Sequence, residues 1–194
     1  MTKQSSSSCE RNQKPILDVL SRVLKDRKQV LEIGSGTGQH AVYFAPHLSH
    51  LLWHTSDDKS NHASINAWIK EFPSRNLQLP FEFLIGKHPW PSIPVDAIFT
   101  ANTTHIMAKD NAKEMMKMVA DNLQKGGIFC QYGPFNLDGN YTSEGNREFD
   151  IYLKQNGCGG IRDINELSEW GTGLRLIEKV VMPANNFLLI WESC

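Results

Sequence analysis

The chain has 194 residues, enough for one domain with a sizeable core, and 40% of it is hydrophobic. Its 20 basic and 21 acidic residues leave a formal net charge of −1, so no basic stripe marks a phosphate-tracking surface and no nucleic-acid partner is expected. No stretch has the length of a membrane span, and Cys9, Cys130, Cys158 and Cys194 lie apart without a Cys-x-x-Cys pair. The cysteine usage argues against a disulfide frame or a zinc site and for a cytoplasmic domain, with no membrane and no metal expected.

Residues 1–8 are polar and serine-rich, without an apolar h-region, and read as a disordered tail; residues 9–194 read as a single domain. Ile16, Leu17, Leu20, Val23 and Leu24 repeat at helical spacing, with Pro15 suited to the first turn of that helix. An apolar run at 30–33 predicts a buried strand. A glycine turn follows, then a helix over 41–45 stopped by Pro46. Residues 51–58 predict a second strand ending in Asp57 and Asp58, then a helix over 60–72 ended by Pro73.

A third strand is expected at 81–85 and a fourth at 95–100, delivering Asn102 and His105 at its C-terminal end. Residues 108–123 predict an amphipathic helix whose stripe of Met115, Met116, Val119 and Leu123 reads as core. A fifth strand at 128–132 runs into Gly133-Pro134-Phe135. A helix over 144–155 and one capped by Asp163 with Glu166 follow. Two last strands, 174–182 and 187–192, share so short a connector that they must be antiparallel neighbours. This alternation predicts an α/β fold: a Rossmann-like, seven-stranded, mostly parallel sheet with helices on both faces and an antiparallel C-terminal hairpin.

Spacing narrows what the glycine turn holds. A dinucleotide fingerprint is G-x-G-x-x-G, whereas here the third glycine comes one residue early, as Gly34-x-Gly36-x-Gly38, with Glu32 two residues ahead. The Gly-Lys-Ser/Thr ending of a P-loop is absent. Asp57 follows the turn by roughly twenty residues, the separation at which a second-strand acid accepts hydrogen bonds from a ribose diol. Asp57 or Asp58 could equally cap the next helix; two acids allow both jobs, with Asp57 assigned to the ribose and Asp58 to the turn.

The pattern Glu-x-Gly-x-Gly-x-Gly resembles the first motif of class I S-adenosylmethionine-dependent methyltransferases. The likeness extends over nearly the whole chain to the methyltransferase-like protein 26 family, also described as a domain of unknown function. It is carried by Glu10-Arg11-Asn12, Leu31-Glu32-Ile33, Ser35-Gly36-Thr37-Gly38-Gln39-His40, Ser56-Asp57, Trp90-Pro91 and Asn102 with His105-Ile106. Tyr132-Gly133-Pro134-Phe135, Asn146 with Phe149-Asp150, Ile161-Arg162-Asp163 and Met182-Pro183-Ala184-Asn185-Asn186 complete it. The resemblance implies the class I methyltransferase fold and an S-adenosylmethionine site, with S-adenosylhomocysteine as product. The chain departs from the pattern at Leu84-Ile85-Gly86, where an acid for the adenine amino group is expected, and at Gly157-Cys158-Gly159-Gly160.

The expected cofactor residues are Arg11, Asn12, Glu32, Gly34, Ser35, Gly36, Gly38, Gln39, His40, Asp57 and Asn102. His105 reads as a general base or as a hydrogen-bonded structural histidine; Tyr132 reads as an orienting hydroxyl or as an aromatic cap. Tyr132, Phe135, Asn146, Arg162 and Asn185 are the candidate substrate residues. Arg162 could alternatively sit in a salt bridge with Asp150 or Asp163. The resulting expectation is methyl transfer to a small molecule. A non-catalytic S-adenosylmethionine-binding regulatory module and, third, a nicotinamide-dependent oxidoreductase are the alternatives.

Overall fold

The computed structural model describes residues 3–194. The chain divides into two compact units, Met1–Thr100 and Ala101–Cys194.

The first unit contains α1 (Ser7–Val23), β1 (Gln29–Ile33), α2 (Gln39–His47), β2 (Leu52–Asp57), a 3-10 turn (Lys59–Asn61), α3 (His62–Glu71), β3 (Phe81–Glu82) and all but the last residue of β4 (Ala97–Ala101). Its strands run parallel in the order β3-β2-β1-β4. β1 is central: Val30, Leu31, Glu32 and Ile33 are all buried, as expected of a strand covered on both faces. With β2 on one side and β4 on the other, the C-terminal end of β1 is the switch point at which such sheets bind ligands. Leu31, Phe44, Trp53 and Phe99 form the core beneath it, with Phe44 edge-on to Phe99 at 5.5 Å between ring centroids.

Several expectations for this unit are corrected: α2 runs through Pro46 to His47, and the third strand, expected at 81–85, is only Phe81–Glu82. Met1 and Thr2 lie outside the described residues, but residues 3–8 of the expected tail are held. Gln4 N donates to Ser64 Oγ at 2.9 Å, Trp68 Nε1 donates to Gln4 O at 2.7 Å, and Ser6 N donates to Gln39 Oε1 at 2.5 Å. Lys3 pairs with Glu71 and lies over the Trp68 ring. Polar composition hid this because the holding atoms are mostly backbone. Helix α1 also runs eight residues upstream of Pro15. The proline costs one backbone bond, to the Arg11 carbonyl, while the buried face of Asn12, Ile16, Leu17 and Leu20 carries the helix through.

The second unit contains α4 (Lys109–Asn122), β5 (Ile128–Gly133), β6 (Phe135–Asn136), α5 (Glu144–Gln155), β7 (Arg162–Asp163), α6 (Ile164–Trp170), β8 (Leu174–Met182) and β9 (Asn186–Ser193). β9 pairs antiparallel with both β5 and β8, and β6 and β7 form a separate parallel pair. Helix α5 has the predicted bounds, and the capping box of Asp163 and Glu166 starts α6. The fold class is the one expected: α/β, with seven strands in the main sheet, mostly parallel and closed by an antiparallel hairpin. Among the described residues no helix is long and apolar enough to cross a membrane.

Candidate functional site

In the first unit the turn after β1 takes a conformation that side chains resist. Gly34, Gly36 and Gly38 have φ of 74°, 57° and 94°, all in the left-handed region. At Gly38 a Cβ would stand 2.8 Å from the Ile65 Cα, so glycine lets α3 pack against the start of α2. At Gly36 a Cβ would meet nothing within 4 Å, so that glycine borders open space.

Strand β2 fastens the turn. Gly34 N and Ser35 N both donate to Ser56 O, at 3.1 and 3.0 Å, and Ser56 N donates to Ser35 Oγ at 3.2 Å. Glu32, buried beneath, accepts from Ser35 Oγ and from Trp53 Nε1, each at 3.0 Å. Burial pushes its carboxyl up to about 7, although both of those bonds favour the anion. Trp53 was not anticipated as a partner, since nothing in a buried tryptophan signals where its N–H points.

Asp57 closes the corner. Its Oδ2 accepts from Gly36 N at 2.6 Å, and its Oδ1 accepts from Asp58 N at 2.6 Å and Asn61 Nδ2 at 2.8 Å. A carboxylate has about four acceptor directions, so one remains on Oδ2. One ribose hydroxyl can use it directly; the second requires Asn61 or Gly36 to give way. Asp58 caps the 3-10 turn through Ser60 N at 2.8 Å.

Above the turn, the start of α1 contributes polar groups. His40 Nε2 is 2.7 Å from Asn12 Oδ1, and its ring stacks on Phe44. Burial lowers the His40 pKa to about 4, so the ring is neutral and gives its Nε2 proton to Asn12. Gln39 Oε1 accepts from Thr37 Oγ1 as well as from Ser6 N. Burial holds the Cys9 thiol above its ordinary value, opposed by hydrogen bonding with Ser6 and Thr37. Arg11, by contrast, is exposed and donates to Ser8 Oγ at 3.3 Å. The departure at Leu84-Ile85-Gly86 is a turn: β3 ends at Glu82, Gly86 has φ of 79°, and Lys87 N and His88 N return to Leu84 O.

The second unit gathers the other candidates. Asn102 has φ of 56° and donates its N–H to Tyr132 O at 2.9 Å. His105 is buried, edge-on to Phe149, and burial lowers its pKa to about 4. Tyr132 and Phe135 are buried. Asn146 Nδ2 donates to Thr142 Oγ1 at 2.9 Å and to Asn185 O at 3.0 Å, tying α5 to the hairpin turn in which Asn185 has φ of 56°. Arg162 Nη2 donates to Met107 O at 3.3 Å; neither Asp150 nor Asp163 bonds it. A polar chain that the sequence did not announce crosses this unit: Trp191 Nε1 donates to Gln131 Oε1 at 3.0 Å, and Gln131 Nε2 to Thr104 Oγ1 at 2.8 Å. Among the described residues no group of three His, Cys, Asp or Glu side chains is placed to hold a metal ion.

The chain belongs to the family described as "Protein of unknown function (DUF938)", whose model matches residues 3–193. In fold it is similar to an O-methyltransferase family 2 protein from Planctomyces limnophilus, solved with apigenin, at a TM-score of 0.82 and 16% identity over 96% of this chain and 60% of that one. An O-methyltransferase family protein from Burkholderia thailandensis gives 0.76 and 15% over 93% and 55%. Human N-acetylserotonin methyltransferase, solved with S-adenosylmethionine, gives 0.74 and 12% over 93% and 54%. At these identities the likeness establishes the fold, and the chain spans little more than half the length of these structures.

Proposed function

We propose that this DUF938-family chain is an S-adenosylmethionine-dependent methyltransferase acting on a small-molecule acceptor. The observation that carries the proposal is the corner of the first unit. There Gly36, bordered by open space, donates its N–H to Asp57, whose carboxylate keeps an acceptor direction on Oδ2. A turn with glycine at every second position beside an acceptor-only group fits an adenosyl moiety with a ribose to hold. The structural neighbours, methyltransferases by name, support the same reading, as does the resemblance to methyltransferase-like protein 26.

When bound, S-adenosylmethionine supplies an electrophilic methyl group that the acceptor's lone pair takes in line as the carbon–sulfur bond breaks, leaving S-adenosylhomocysteine. The chain's own contribution is positional. Asp57 would receive a ribose hydroxyl, and Glu32 keeps Ser35, and with it the turn, in place. Asn12 and His40 fix the start of α1 against α2.

His105 and Tyr132 are the groups proposed for the acceptor. A neutral His105 can take a proton, but with a pKa near 4 it is a weak base at neutral pH. That favours an acceptor whose proton is lost easily. The same weakness favours a second reading, a module that binds S-adenosylmethionine without transferring its methyl group.

Calorimetric titration with S-adenosylmethionine, S-adenosylhomocysteine and NAD tests the proposal. Binding of S-adenosylhomocysteine tighter than about 100 μM, weakened at least tenfold in Asp57→Asn, is expected. No heat with either sulfur compound, or binding of NAD in their place, would refute it. Binding without transfer of labelled methyl to any metabolite pool would support the second reading.

A further inference from the structure

We infer that Arg162 is an anion-binding residue of the second unit, placed to take a carboxylate or phosphate oxyanion. Its assignment to the methyl acceptor's anionic group rests on the methyltransferase reading above.

Arg162 begins β7 with only 7% of its surface exposed. Its guanidinium has five N–H donors. One reaches a protein acceptor, through the 3.3 Å bond to the Met107 carbonyl, while Nε is buried without a partner. Among the described residues no carboxylate lies within ion-pair distance of it.

The acids nearest in its surroundings are committed elsewhere. Asp150 accepts from Ile161 N at 2.6 Å, from Tyr141 Oη at 2.6 Å and from Lys154 Nζ at 2.7 Å. Glu166 pairs with Lys109 at 2.6 Å and takes Asp163 N in the capping box. Asp163 accepts from Gly139 N and Asn165 N. Arg162 is therefore a buried cation without an ion pair among the described residues: Glu166 and Asp150 attract it only from a distance, and burial still lowers its pKa, an arrangement that disfavours the fold unless something else gains from it.

The chain nonetheless makes room for this side chain. At Gly159 a Cβ would stand 2.2 Å from Arg162 Nη2 and 1.8 Å from Met107 O, so any residue but glycine would displace the guanidinium. Gly160 N donates to the His105 carbonyl at 2.9 Å, which brings the 105–107 segment alongside 159–162. The His105 ring there is uncharged and adds no competing cation. A guanidinium fork with free donors and one weak neutral partner matches an oxyanion in charge and in shape.

The full chain, with no cofactor added, is titrated with inorganic phosphate and separately with benzoate. The Arg162 Nε–Hε NMR resonance, assigned by its absence in Arg162→Lys, and the melting temperature are followed. The resonance is expected to move saturably with at least one probe; which one identifies the oxyanion. Arg162→Met is expected to melt no lower than wild type in anion-free buffer, because it removes an uncompensated charge, and to lose the anion-dependent rise in Tm. Arg162→Lys keeps the charge but not the fork, and should weaken the responsive probe about tenfold. A resonance that neither probe moves would overturn the inference. So would an Arg162→Met variant that melts several degrees lower or fails to fold, since that marks a structural arginine. A moving resonance with no S-adenosylhomocysteine binding would remove the methyltransferase reading and leave the anion site standing.

Discussion

Gly36 and Gly38 are two residues apart, and the structure assigns them different costs when each is replaced by alanine. Both have positive φ, +57° and +94°, and a left-handed alanine costs about 1–2 kcal/mol. Against this, alanine loses about 0.4–1 kcal/mol less chain entropy on folding. For Gly36 nothing further is added, because its Cβ would meet no atom within 4 Å, so Gly36→Ala should destabilise by about 1 kcal/mol. For Gly38 the new Cβ would lie 2.8 Å from the backbone of Ile65, and α3 would have to shift. Overpacking of that kind adds about 1–3 kcal/mol, for a total of about 2–4 kcal/mol. Urea unfolding measures both, and calorimetry with S-adenosylhomocysteine measures the ligand. The informative result is Gly36→Ala: nearly native stability with affinity reduced at least tenfold. If Gly36→Ala binds as wild type does, the open space at Gly36 does not belong to a ligand. If Gly38→Ala is as stable as wild type, the packing argument fails.

Other substitutions test separate parts of the account. Glu32 has its pKa raised from 4.5 to about 7, so between those values the folded state holds a proton that the unfolded state has lost. Stability from this group is thus full below about pH 4.5, falls as pH rises through 7, and is level above. The stability of Glu32→Gln relative to wild type should rise by about 3 kcal/mol between pH 4.5 and 7.5, read from urea midpoints; a constant difference would refute the assignment. His40 and His105 have pKa values lowered to about 4, which works in the opposite direction. Wild-type stability should therefore fall as pH drops from about 6.5 towards 4, with His105→Gln reducing that slope. Gln131→Leu leaves Trp191 Nε1 and Thr104 Oγ1 without their buried partner and should cost about 2–4 kcal/mol in urea unfolding. Ala184 has φ of 57° in the β8–β9 turn, so Ala184→Gly should stabilise the chain by up to about 1 kcal/mol; a lower Tm would contradict the strain reading.

The parts of the fold legible in the sequence are those in which one local pattern meets no competitor. Helix α5 keeps the bounds its pattern predicts, and α6 starts where Asp163 and Glu166 reciprocate. The hairpin of β8 and β9 follows from two apolar runs around Pro183. What escaped depends on partners distant in sequence or on elements too short to show a period. β6 and β7 have two residues each, and the third strand keeps only Phe81 and Glu82 before the chain turns at Gly86. Proline misled at Pro15, where burial outweighs one lost backbone bond. In the candidate site, the juxtaposition of the glycine turn with Asp57 could be read from spacing. The hands that hold it, Trp53 on Glu32 and Asn61 on Asp57, could not, because a donor's direction is a property of packing.

On the proposed function, the turn after β1 and the carboxylate of Asp57 together hold an adenosyl group. A crystal structure of the full chain grown with S-adenosylhomocysteine tests it most directly. Density is expected to run past Gly36, with a ribose hydroxyl within hydrogen-bonding distance of Asp57. Density for the compound elsewhere, or crystals in which Asp57 still bonds Gly36 and Asn61 with no ligand beside it at saturating concentration, would contradict it.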